Sequence, residues 1–142
     1  MDDISYTIDK NQLDIDFIHD FLCHKSYWAN GLPLDILKIA IENSLCFGVF
    51  NHNKQIGFAR VVTDFTSFGY LCDLFIDESY RNQGIASKFM HYILDNDTVK
   101  QLKRFNLVTT DAHELYQKVG FTLLKNPERH MEIVKMPAWQ TN

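Results

Sequence analysis

The stretch Leu71-Cys72-Asp73-Leu74-Phe75-Ile76-Asp77-Glu78-Ser79-Tyr80-Arg81-Asn82-Gln83-Gly84-Ile85-Ala86-Ser87 orders its residue types as strand, turn and helix. The apolar run Tyr70 to Ile76 reads as a strand and the polar residues after it as a turn. Gly84 then opens a helical pattern through Ile85, Phe89, Met90 and Ile93, ending near Asp95. The first N–H groups of a helix lack intrahelical acceptors and carry the positive end of its dipole, so this junction suits a phosphate. Gly84 lets the backbone approach a ligand, small Ala86 keeps the entrance open, and Arg81 adds positive charge. An ordinary strand–turn–helix with a glycine in its first turn reads the same way.

Upstream, Ser5 to Ile8 reads as a short strand, and Leu13, Phe17, Ile18, Phe21 and Leu22 recur at helical spacing. Asn30-Gly31 and Pro33 break that pattern before a second apolar face formed by Leu34, Ile36, Leu37, Ala40 and Ile41. Leu45 to Phe50, the polar turn at residues 51–53, and Gln55 to Thr63 form a hairpin signature, and residues 64–69 turn again. Downstream, Phe105 to Thr109 reads as a buried strand. Asp111 and Glu114 form a capping box for a short helix, and Gly120 ends it. Phe121 to Leu124 and Glu132 to Val134 supply two final strands. This order predicts a mixed α/β sheet of largely antiparallel strands, not a doubly wound one, in one domain over residues 1–142.

The 142 residues carry 46% hydrophobic and 23% charged side chains, which excludes a disordered or collagen-like chain. A formal net charge of −4 disfavours phosphate-neutralising nucleic-acid binding. No apolar run approaches the ~20 residues of a membrane span, and no targeting segment is visible, so a cytoplasmic protein is expected. Cys23, Cys46 and Cys72 lie at spacings that suit neither zinc nor a disulfide framework, and no metal is expected.

About thirty residues beyond Arg81-Asn82-Gln83-Gly84-Ile85-Ala86 comes Leu115-Tyr116-Gln117-Lys118-Val119-Gly120-Phe121. The first resembles the Q/R-x-x-G-x-G/A motif of the GNAT acyltransferase superfamily, and the second its L-Y-x-K-x-G-F signature. The motifs stand in the family's order, and the resemblance spans essentially the whole chain. It implies acetyl-CoA as cosubstrate, with the pyrophosphate on the backbone N–H groups of Asn82, Gln83, Gly84, Ile85, Ala86 and Ser87 beside Arg81. It further implies a pantetheine arm paired with Leu74, Phe75 and Ile76, and an N–H near Phe75 or Ile76 that stabilises the oxyanion. Tyr116 matches the family tyrosine that protonates the departing thiolate; its other reading is a core aromatic. An amine acceptor, with a lysine-like pKa near ~10.4, must also lose a proton. Asp73 is a candidate to take it; alternatively it faces a solvent-filled cleft or pairs with Arg60 or Arg104. His113 is a further candidate base. Three residues depart from the family pattern: Glu78 replaces a frequent Pro, Asn82 a frequent Gly and Thr109 a frequent Asn.

Acceptor recognition is implied for the loop containing Tyr27 and Trp28, which either wall a pocket or cap the core. The implied reaction is direct acetyl transfer to a primary amine, of a small molecule or a peptide, in a ternary complex. A non-catalytic acyl-CoA-binding module of the same fold, and a plain interaction domain, are the rival readings. Neither nucleic acid nor membrane is an expected partner, and a homodimer is compatible with the chain.

Overall fold

The computed structural model describes residues 3–140. Five strands form one sheet in the order β1-β2-β3-β4-β5: β1 (Ile4–Thr7), β2 (Leu45–Asn51), β3 (Lys54–Thr63), β4 (Phe68–Ile76) and β5 (Arg104–Leu107). The first four pair antiparallel, and β4 and β5 run parallel, joined by a crossover through α3 (Ile85–Leu94) and α4 (Asp97–Lys100). Before β2 lie α1 (Ile15–Asp20) and α2 (Leu34–Glu42), and α5 (His113–Lys118) follows β5.

The sheet separates two apolar clusters. Phe47, Val49, Ile56, Val61 and Leu71 pack against Phe89, Met90 and Ile93 of α3 on one face. Cys46, Phe58 and Phe75 pack against Ile18, Phe21, Leu22, Leu37 and Ile41 on the other. Leu71 and Phe75 stand an even number of residues apart, so a regular strand would put both on one face. They face opposite clusters because β4 bulges between them. Phe58 and Arg60 of β3 oppose Phe75 and Cys72 of β4, one residue more on the β4 side, and Asp73 adopts φ 56°.

Several expectations are corrected. The first helical pattern divides into a 3-10 turn (Lys10–Gln12), α1, and a π turn (Phe21–Lys25). Ile36, expected on the apolar face of α2, is exposed. β5 stops at Leu107 and is only half-buried, because it pairs on one side alone. The Asp111–Glu114 capping box does not form. α5 begins at His113 with Ala112 at the N-cap, one residue later than the box requires, and no side chain caps it. Phe121 to Leu124 and Glu132 to Val134, expected as two final strands, join no ladder of the described sheet. Gly120 does end α5, at φ 113°.

Candidate active site

β4 pairs with β5 only over Phe68–Leu71, while it pairs with β3 as far as Ile76. From Cys72 to Ile76 its second edge therefore has no strand beside it, and the two parallel strands splay. The splay opens a hollow of about 270 Å³ lined by Tyr27, Trp28, Cys72, Asp73, Asp111 and Tyr116, among others. At the far end of the free edge lies the start of α3.

That start is uncapped. Gly84 occupies the N-cap position at φ 76° and supplies no side-chain acceptor, whereas Asp14 caps α1 and Asn96 caps α4. A Cβ built on Gly84 meets nothing within 4 Å, so the space above these N–H groups is open. The glycine is required there by backbone conformation rather than by crowding. Asn82 also takes a left-handed conformation, φ 63°, which asparagine tolerates better than most residues. Arg81 Nε donates to the Ile76 carbonyl at 3.2 Å, which holds an exposed guanidinium over the end of β4.

Tyr116 reaches the hollow because of how α5 ends. The Phe121 N–H donates to the Tyr116 carbonyl at 3.0 Å and the Gly120 N–H to the Gln117 carbonyl at 3.2 Å. This is a Schellman termination, which needs a left-handed residue at Gly120 and brings the residues flanking it together. The Tyr116 and Phe121 rings accordingly meet edge to face at 5.7 Å. Leu-Tyr-x-Lys-x-Gly-Phe is thus a helix stop that aims a tyrosine. Burial, with smaller contributions from Tyr27 and Asp111, pushes the Tyr116 phenol up to about 12, so it stays protonated at neutral pH.

Asp73 is engaged on both oxygens. Trp28 Nε1 donates to Oδ1 and Arg60 Nε to Oδ2, each at 2.9 Å, and Arg60 also donates to Ser44 Oγ at 3.1 Å. The Asp73 and Arg60 side chains are only 10% and 18% exposed, so the pair is largely withdrawn from water. Of the two arginines considered, Arg60 is the partner and Arg104 is not. Trp28 is held by this carboxylate and by Gln140, whose Nε2 donates to the Trp28 carbonyl at 3.1 Å. Tyr27 stacks edge-on against Trp28 at 5.1 Å and remains exposed. Burial pushes the Cys72 thiol up to about 12, so this cysteine beside the hollow is a poor nucleophile.

The free edge, the uncapped helix start and the tyrosine at the splay lie along one path on β4. A family model for the acetyltransferase (GNAT) domain matches residues 42–123. The chain belongs to the GNAT acetyltransferase family.

A solved structure from Xanthomonas campestris pv. campestris, provisionally assigned as a GNAT-family acetyltransferase, is 36% identical at TM-score 0.93 and covers 99% of each chain. A provisionally named acetyltransferase of Gibberella zeae is 31% identical over 113 residues, 65% of this chain. The match spans 63% of that relative, less than two thirds of its length. A structure from Clostridium acetobutylicum, provisionally assigned as an acetyltransferase and described with acetyl-CoA, shares the fold at TM-score 0.67 and 14% identity, covering 94% of this chain and 96% of that one.

Within this GNAT fold, Tyr27, Trp28, Asp73 and Tyr116 converge on one hollow, while Arg81 to Ser87 lie at the other end of the β4 edge that carries Leu74, Phe75 and Ile76. His113 faces away, on the outer side of β5. Asp111, read in the sequence only as a cap, stands on the rim of the hollow.

Proposed function

We propose that the protein transfers an acetyl group from acetyl-CoA directly to a primary amine. The observation that carries this reading is the free edge of β4, with an uncapped helix start at one end and the Tyr116 hollow at the other. Residues 72–76 span roughly 14 Å of strand at about 3.4 Å per residue. A ligand using both ends must be long and extended, with its anion at one end and its reactive group at the other. An acyl-CoA has that form and supplies an activated thioester.

The chain's own residues divide the work along this path. The N–H groups of Asn82 to Ser87, with Arg81 beside them, receive the phosphates. The backbone of Leu74 to Ile76 pairs with the extended arm, and an N–H near Phe75 or Ile76 stabilises the developing oxyanion. Tyr116 donates to the departing sulfur. Asp73 fixes the Trp28 indole and the Arg60 guanidinium, and so shapes the wall against which the amine lies. The exposed carboxylate of Asp111 on the rim favours a cationic acceptor, whose proton leaves to water there. The neutral thiol of Cys72 supports direct attack over an acyl-cysteine intermediate. Three unpaired cysteines suit a reducing cytoplasm, and no described helix is long and apolar enough to cross a membrane.

A panel of small amines, polyamines, amino acids and peptides tests the reading by release of free CoA thiol from acetyl-CoA. Amine-dependent release that saturates is the expected result. Acetyl-CoA binding without turnover on any acceptor would assign the chain to the non-catalytic binding module instead.

A further inference from the structure

The hollow at the splay has aromatic walls. Tyr27, Trp28, Tyr70 and Tyr116 all line it, and no lysine, arginine or histidine stands among the described residues that do. The Tyr27 and Trp28 rings meet at 85° with their centroids 5.1 Å apart, which makes a corner. That corner is fixed by the protein itself. Buried Ser26 donates to the Leu22 carbonyl at 2.6 Å and accepts from the Ala29 N–H at 3.0 Å, closing a turn around the two aromatics. Phe21 packs tilted against Trp28, and Asp73 holds the indole N–H.

The charge presented to this space is negative. Of its two carboxylates, Asp73 is neutralised by Arg60 and has both oxygens occupied. Asp111 is exposed and enters no ion pair among the described residues. The Tyr116 phenol, raised chiefly by burial, also feels Tyr27 and Asp111, so these groups surround one space. Aromatic faces attract a cation within about 6 Å of the ring centroid, tryptophan most strongly. A π-walled corner with a carboxylate on its rim therefore suits an alkylammonium ion. Such a site does not serve the nitrogen that reacts. It favours the charged form and raises the amine's pKa, whereas attack on a thioester needs the free base. The corner and the reaction belong to different nitrogens of one acceptor.

We propose that the acceptor is an amine carrying a second cationic group, held in the Tyr27–Trp28 corner while its other nitrogen is acetylated. The cation site stands on the geometry alone; the acceptor class rests on acetyl transfer as the reaction. At the reacting end, the ammonium loses one proton to water at the Asp111 rim. Its nitrogen then bonds to the thioester carbonyl carbon as the C–S bond breaks. Tyr116 gives its proton to the departing sulfur and regains one, through water, from the new amide nitrogen. The second ammonium keeps its proton throughout and anchors the acceptor.

Choline and its neutral analogue, with a quaternary carbon in place of the nitrogen, separate charge from shape, and neither offers an amine to acetylate. Titrated into the full chain and followed by tryptophan fluorescence, choline should bind about tenfold more tightly than the analogue. Tyr27 is 60% exposed, so its replacement leaves the core intact. Tyr27→Leu should cut the preference for choline by about threefold or more, and Tyr27→Phe should keep it. Equal binding of the two probes, or a Tyr27→Leu protein with an unchanged preference, overturns the cation site even where acetyl transfer is intact. Straight-chain diamines, each compared with the monoamine that has a methyl group in place of the second ammonium, test the acceptor class. The kcat/KM of the best diamine should exceed that of its monoamine at least tenfold, and equal values overturn the assignment. A preference for choline with no transfer to any amine would refute acetyl transfer to amines, and the acceptor class with it, while supporting the cation site.

Discussion

Replacing Asp73 by asparagine keeps the shape of the side chain and tolerates its φ of 56°, so it isolates the effect of the charge. The carboxylate accepts from two donors, one on each oxygen. An amide has one oxygen and one NH2 group, so either the Trp28 indole or the Arg60 guanidinium must face another donor. Breaking a buried pair by removing one partner costs about 3–5 kcal/mol. Arg60 is 18% exposed and keeps Ser44, which lets water and one hydroxyl offset part of that cost. We therefore expect a loss of about 3 kcal/mol. With a urea m-value of about 1.5–2 kcal/mol/M, the midpoint falls by about 1.5–2 M. Tryptophan fluorescence follows the transition, since Trp28 is itself a member of the network. A cycle with Arg60→Met should recover about 2 kcal/mol of coupling, because the doubly substituted protein has no orphan charge. A loss under ~1 kcal/mol, or additivity within about 0.5 kcal/mol, would refute the idea that this pair locks the bulge and Trp28.

Tyr116→Phe should lower kcat at least tenfold while acetyl-CoA affinity, read by calorimetry, holds; unchanged turnover would remove Tyr116 from the reaction. Burial raises the Tyr116 phenol from its ordinary value of about 10 to about 12, so the stability it contributes is full below pH ~10 and is lost as pH rises through about 12. Tyr116→Phe should therefore soften the alkaline limb of a stability–pH curve, measured by urea unfolding at each pH. Gly84→Ala meets open space but a left-handed φ of 76°, so it should cost about 1–2 kcal/mol and lower Tm by roughly 3–6 °C, with weakened acetyl-CoA binding by thermal shift. Cys72→Ser should retain turnover, because a thiol pushed up to about 12 is not the nucleophile; abolished turnover in a folded variant would require an acyl-cysteine step.

The strand–turn–helix from Leu71 to Ser87 was legible because each of its signals is local. The apolar run of a strand, a glycine at the helix start and, farther on, the Leu-Tyr-x-Lys-x-Gly-Phe stop act within one turn or strand, and all three stand where the pattern put them. The capping box did not form, because the helix starts one residue beyond the position that Asp111 would cap, with Ala112 at the N-cap. The partner of Asp73 was beyond reach of pattern. Arg60 and Arg104 were equal candidates until the bulge in β4 turned the carboxylate toward β3.

The amino-acid sequence by itself determined the family, the order of the main strands and helices as far as α5, the phosphate-suited helix start and the tyrosine in the helix stop, because short-range backbone and side-chain chemistry encodes them. Only the tertiary structure decided that Asp73 is a clamp on Trp28, that the hollow gathers Tyr27, Trp28 and Tyr116, and that residues 131–136 join no ladder of the described sheet. Those outcomes depend on which surfaces lie within hydrogen-bond reach after the chain has folded. No periodicity along the chain records where a strand's neighbour will be.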